Sequence, residues 1–247
     1  MATQKIETIQ ITPLTQSEAK LTIIGNTPLY FNAMSAKAQR TLLVGGGKKT
    51  AAERRELKHN PEQEFRDSIY KLPAGDTLLA FPAAGIKQAM ATAALETAGI
   101  KKTEVQRLIF LPQEKVHVWG EPLLKMDIVR SADMNRTPDV RTRAFLPEWC
   151  AEVTIRFMTP NFSLHGIVSL LANAGAIVGI GDFRQEKGRG GFGTFTVSPD
   201  GSDERIAEIK RQGRMVQMAA MHNPRPADEE TAELMAFMTE ERLLRAS

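Results

Sequence analysis

"VGIGDFRQEKGRGGFGTFTV", residues 178–197, carries six of the chain's 18 glycines. Inside it, "GRGGFG", Gly188 to Gly193, matches G-x-G-x-x-G letter for letter. That motif cradles a dinucleotide only when a strand leads into it and a helix follows, because the pyrophosphate rests on the helix N-terminus. Here the order is reversed. The preceding run, "NFSLHGIVSLLANAGAIVGIG" (residues 161–181), has Ser163 as an N-cap and Ile167, Leu170 and Leu171 at helical spacing. The following run, "TFTV", is β-branched and aromatic. The stretch therefore reads as a helix-to-strand loop, and no nucleotide cofactor is expected. "GGGKKT" (residues 45–50) imitates a phosphate loop but fails its spacing: Lys48 is followed by Lys49, and position 42 is leucine rather than glycine.

Outward from this loop, the chain alternates strands and helices. "AEVTIRFMT" (151–159) alternates apolar and polar residues and predicts a strand; so does Lys20 to Ile24. Ser35 caps a short helix over 35–43. "FPAAGIKQAMATAALETAGI" (81–100) predicts a helix, with Pro82 in the first turn and Gly99 at its C-cap. "RLIFL" and "KVHVW" read as two β runs joined by the turn "PQE", and residues 125–145 lack a clean period. The order strand, helices, strand, strand, helix, strand is that of an α+β, ferredoxin-like (RRM-like) β-α-β-β-α-β core. One domain over 1–199, with insertions at about 45–60 and 120–147, would be followed by a helical C-terminal extension over 200–247. In that extension ten acidic residues outnumber seven basic ones.

The chain has 247 residues, 42% hydrophobic and 25% charged, which excludes a disordered chain as the default. A net charge of +3 does not by itself announce nucleic acid. The single cysteine, Cys150, permits no internal disulfide and reads as a buried small hydrophobe. No signal peptide and no membrane-length apolar run are visible, so a cytoplasmic protein is expected. The four histidines fall in four elements, and no G-x-S-x-G is present. No metal site and no catalytic residue is expected.

The basic residues are grouped. Lys48, Lys49, Arg54, Arg55 and Lys58 share one segment; Arg130, Arg136, Arg141 and Arg143 share another; Arg184, Lys187 and Arg189 lie in the glycine-rich stretch. Gly179, Gly181, Gly191 and Gly193 would shape that loop; glycines allow close backbone approach and basic side chains supply charge-assisted hydrogen bonds. Three such loops around an open sheet would form a groove that follows a phosphate backbone. Phe183 and Phe192 flank the cluster and either stack bases or belong to the core.

"GIGDFRQEKGRGGFG", with Gly179, Gly181, Gly191 and Gly193, resembles the glycine-rich loop of the RAMP superfamily (repeat-associated mysterious proteins), the ferredoxin-like RNA-binding subunits of CRISPR effector complexes. The element order agrees over roughly residues 18–198. Within that superfamily the chain is most similar to the backbone subunits that polymerise along a guide RNA. Those carry large insertions in the first half of the fold and a thumb-like hairpin before the third core strand. It is also similar to phage and prophage proteins of uncharacterised role with the same ending. No histidine matches the guide-processing members, and "GNTPLYFNAMSAK" (25–37) lacks the aspartate of the target-cleaving ones. The resemblance thus implies binding of single-stranded RNA, or DNA, without cleavage, as a homo-oligomer or beside neighbouring RAMP-like subunits. Two rivals remain: a phage-borne mimic of a backbone subunit that inhibits a CRISPR complex, and a RAMP-type nuclease.

Overall fold

The computed structural model describes residues 12–44, 58–130, 137–187 and 190–246. Ten strands and eight helices follow in chain order among these residues. They are β1 (Thr15–Gly25), β2 (Leu29–Tyr30), α1 (Ala36–Val44), α2 (Pro61–Asp67), β3 (Tyr70–Lys71), β4 (Leu79–Pro82), α3 (Ala83–Ala93), α4 (Lys102–Leu108), β5 (Ile109–Phe110) and β6 (Lys115–Trp119). Then come β7 (Leu123–Arg130), β8 (Pro138–Leu146), β9 (Cys150–Thr159), α5 (Leu164–Asn173), β10 (Phe195–Ser198), α6 (Glu204–Arg211), α7 (Arg214–His222) and α8 (Glu229–Ala246).

The main sheet runs β10-β1-β9-β6-β4-β3, with β5 also paired to β9, and every pairing is antiparallel. Its longest ladder, β1 with β9, matches Thr15 to Thr159 through Ile24 to Cys150. Alternation in β1 turns Ala19, Leu21 and Ile23 into the core, where Val153, Ile155 and Phe157 of β9 join them. Ile86, Ala89, Met90 and Ala93 of α3 bury against that face, together with Ile167, Leu170 and Leu171 of α5. Ser163 caps α5 by accepting from the Gly166 amide at 3.1 Å, as the sequence predicts. The protein is therefore an α+β structure built on an antiparallel sheet.

Three local readings change. The helix read over 81–100 is shorter, Ala83–Ala93, with Ala94 rather than Gly99 at its C-cap. The "RL" of "RLIFL" ends helix α4, and only Ile109 and Phe110 form a strand. Glu104 draws this turn together by accepting from the Lys101 amide at 3.2 Å. Within residues 125–145, which lack a clean period, 125–130 and 138–145 belong to a long antiparallel pair: β7 pairs with β8 from Leu123–Phe145 to Arg130–Pro138. Charged residues face both carboxylates and water there, which erases the period. β2 joins β8 to complete a three-stranded sheet.

The outer face of the main sheet is not wholly free. Ile206 and Ile209 of α6 cover Ile24, Trp119 and Cys150, and burial pushes the Cys150 thiol up to about 12. The buried side chain of Gln217 on α7 accepts from the amides of Leu78 and Leu79 and donates to the carbonyls of Val118, Gly120 and Gln212. Arg214 donates to the carbonyls of Leu72, Pro73 and Thr77. The C-terminal extension thus completes its own domain. On α8, Leu234 and Met235 pack against the core while Phe237 stays exposed. No helix among the described residues is long and apolar enough to cross a membrane.

Candidate nucleic-acid interface

The glycine-rich loop leaves α5 through a π-helical turn, Ala174–Val178, and folds back onto β2. Four main-chain bonds stitch it down. The Ile180 amide donates to Gly193 at 2.9 Å, Asp182 to Tyr30 at 3.1 Å, Gly193 to Pro28 at 2.8 Å, and Phe192 to Phe183 at 3.4 Å. The glycines serve this close packing against the chain itself. Gly193 has φ +70°, and a Cβ there would lie 1.8 Å from the Ile180 carbonyl oxygen. Gly181, at φ +85°, would bring a Cβ within 2.6 Å of the Tyr30 carbonyl oxygen, and Gly179 (φ +73°) faces the Phe192 carbonyl at 3.0 Å. Gly191 faces open space. Gly179, Gly181 and Gly193 thus shape the loop, as the sequence reading expects of them, while Gly191 has no such close contact.

Phe183 and Phe192 are partly buried, and both meet the Tyr30 ring edge-on, at 5.5 and 4.9 Å between centroids. Phe183 itself holds a left-handed backbone, φ +50°, which is strained for a bulky residue. Its ring lies 4.2 Å from the Arg143 guanidinium, and the Tyr30 ring lies 5.2 Å from it. The phenylalanines thus belong to an aromatic seat beneath the loop.

Arg143 was expected to face phosphate, and its position corrects that. It is only 2% exposed and lies between two carboxylates. Nη1 donates to Asp182 at 2.5 Å and Nη2 to Asp127 at 3.1 Å. Its Nε and the Thr142 hydroxyl are buried polar atoms without a hydrogen-bond partner among the described residues. Burial pushes the Asp127 carboxyl above its ordinary value, against the pull of Arg143 and Lys125. Burial also pushes the Tyr30 phenol up, with Asp127 adding to it.

The other expected basic residues divide. Arg184, 30% exposed, donates from Nε to Glu186 at 2.8 Å and from Nη1 to the Gly181 carbonyl at 3.2 Å, leaving Nη2 without a partner among the described residues. Arg141 is exposed on β8 and makes no ion pair among them. Lys187 closes the short turn Gln185–Lys187, and its side chain lies outside what is described. Lys48, Lys49, Arg54, Arg55, Arg136 and Arg189 lie outside the described residues.

Two clefts meet at Asn32. The first, about 370 Å³, runs between α3 and the glycine-rich loop and includes Tyr70, Phe81, Gln88, Asp182 and Arg184. The second, about 490 Å³, runs between α1 and β8 and includes His59, Asp139, Arg141 and Arg143. At its far end Asp139 binds Lys58 and, at 3.1 Å, His59 Nε2, while His59 Nδ1 meets Glu64 at 3.0 Å. The hydrogen bond from Lys58, then the nearby His59, holds the Asp139 carboxyl below its ordinary range. Glu64 and Asp67 also line this cleft, so its described walls are not net basic. No cluster of three metal-ligating side chains occurs among the described residues. Sequence reasoning missed Asn32, Gln88, His59 and Asp139; none sits in a spacing that marks it. A scan against family models and a search of curated proteins found no match for the chain.

Proposed function

We propose that the chain is a non-catalytic, ferredoxin-like protein that binds single-stranded nucleic acid, RNA preferred, in the manner of a RAMP backbone subunit. The strand order β10-β1-β9-β6, all antiparallel, supports the topology, because it is the order into which a β-α-β-β-α-β chain closes. The β7–β8 hairpin supports the likeness to a thumb before the third core strand.

One observation carries the binding reading. Lys58 and His59 bind Asp139, which joins the chain just after the basic segment 45–57 to the chain just after the segment 131–136. Both meet at the mouth of the cleft where Arg141 is exposed, and the second cleft leads from there past Asn32 toward the glycine-rich loop. Lys48, Lys49, Arg54, Arg55, Arg136, Arg141, Arg184, Lys187 and Arg189 are the proposed phosphate partners, with Arg143 removed to a structural role. Assembly along the strand, as a homo-oligomer or beside RAMP-like subunits, is part of the same reading.

The test is a salt titration of a labelled single-stranded RNA. Neutralisation of about four phosphates gives a slope of roughly −3 in log affinity against log salt. Absence of binding at low salt sinks the reading. The same strand incubated with divalent metal separates binder from nuclease.

A second reading is a protein-interaction module that mimics a backbone subunit. Leu42 and Leu43 on α1, 73% and 86% exposed, favour it. Under that reading a protein partner binds tightly and nucleic acid poorly.

A further inference from the structure

The cleft between α3 and the glycine-rich loop has walls that differ from those of a phosphate groove. At about 370 Å³ it is close to the lower end of small-ligand sites. Its floor is apolar: Phe81 is buried there, Pro82 and Ile180 border it, and the Tyr70 ring stands edge-on to Phe81 at 6.4 Å. Two side-chain amides, Asn32 and Gln88, reach its rim. Arg184 stands at the loop edge with Nη2 unused among the described residues.

The orientation of Asn32 is decided by chemistry. Its Nδ2 lies 3.1 Å from Asp182 Oδ2. A carboxylate that already accepts from Arg143 and from the Phe183 amide can only accept, so the amide nitrogen must face it. That leaves Asn32 Oδ1 as an acceptor of fixed direction, with no partner among the described residues. Gln88 is looser: its Nε2 reaches only Thr92, at 3.4 Å. A flat, partly apolar ligand with a hydrogen-bond donor on its edge fits this set.

We infer that this cleft seats one unstacked base of the bound strand, and that Asn32 Oδ1 accepts from its exocyclic amino group. The inference rests on the proposed nucleic-acid reading and adds base discrimination to it. Tyr70 and Phe81 supply the apolar bed, and the free Arg184 nitrogen meets the adjoining phosphate. A base with a carbonyl in place of the amino group sets two acceptors against each other and leaves Asn32 unpaired, which is the costlier mismatch.

The experiment compares two oligouridines, one with adenine and one with hypoxanthine at every third position, by fluorescence anisotropy at low salt. Adenine and hypoxanthine differ at the group that meets Asn32: an amino donor against a carbonyl acceptor. Wild type is expected to bind the adenine strand about tenfold more tightly. Asn32→Ala is expected to bind both strands alike, at a level between those wild type shows for adenine and for hypoxanthine. A thermal melt checks that the variant is folded, and Gln88→Ala, on an exposed helix face, gives a second variant with a smaller loss. Equal wild-type affinity for the two strands overturns the inference while leaving the nucleic-acid reading intact. So does a folded Asn32→Ala that keeps the preference. Failure of wild type to bind either strand overturns the nucleic-acid reading and the inference together.

Discussion

Arg143 on β8 and Asp182 in the glycine-rich loop form a 2.5 Å hydrogen-bonded ion pair that fastens the hairpin to the loop. Asp127 completes the clamp from β7, and two aromatic rings cover the guanidinium. Replacing Arg143 with methionine keeps much of the volume but leaves two carboxylates facing each other. The expected loss is about 3 kcal/mol in urea unfolding. Arg143→Lys, which lacks the planar fork, should lose a smaller amount. A loss under about 0.5 kcal/mol for Arg143→Met would show the clamp to be dispensable.

The glycines of the loop should separate sharply under substitution. Gly193→Ala forces a Cβ onto the Ile180 carbonyl and a side chain into a left-handed φ. It should destabilise by more than about 2 kcal/mol. Gly191→Ala, facing open space, should stay within about 0.5 kcal/mol. Melting temperatures of the pair decide this, and similar values would contradict the packed loop.

Gln217 links the C-terminal extension to the sheet through two accepted and three donated bonds. Gln217→Leu leaves buried amides and carbonyls unpaired, at a cost of about 2–3 kcal/mol. Limited proteolysis should then cut within residues 200–222 before the core. Unchanged protection would mean that the apolar contacts of Ile206 and Ile209 suffice alone.

Asp228 ties the start of α8 to the hairpin through Lys125, and it accepts from Thr231 at 2.6 Å. Those hydrogen bonds, that from Lys125 first, lower its carboxyl from 3.8 to about 2. A folded value below the unfolded one stabilises the fold above about pH 4 and loses that contribution as pH falls toward 2. Asp127 works oppositely, since burial raises it. Asp228→Asn should therefore flatten the acid limb of the stability curve between about pH 4 and 2. Solvent at this exposed carboxylate keeps the effect small. Identical acid limbs in circular dichroism would rule the linkage out.

Charge reversal separates the roles assigned to the arginines. Arg141→Glu, at an exposed strand position, should leave the melting temperature nearly unchanged and weaken binding of single-stranded RNA severalfold at low salt. Unchanged affinity in the folded variant would move the strand off the second cleft.

The elements with one apolar face were legible in the sequence. Leu21 and Ile23 alternate in β1, Ile155 and Phe157 do so in β9, and Ile167, Leu170 and Leu171 recur at helical spacing behind the Ser163 cap. Each pattern is set by neighbours a few residues away, so composition and spacing reveal it. The turn that starts α4 was lost because its signal, Glu104 reaching back to the Lys101 amide, is a single hydrogen bond. The period of the hairpin was hidden because Asp127 and Arg143 face partners that only the folded chain supplies.

By itself, then, the sequence determined that residues 178–197 are a helix-to-strand loop and that sheet and helices alternate around it. Only the tertiary structure decided what the loop's charges and glycines do. An arginine on a strand carries the same letter whether it faces water or two carboxylates. Arg143 and Asp182 are 39 residues apart, and their pairing depends on the β7–β8 register and on the return of the loop across β2. Long-range closure of that kind leaves no local periodicity. It turned a candidate phosphate ligand into the fastening of the loop and left the clefts on either side of Asn32 as the proposed place for a strand.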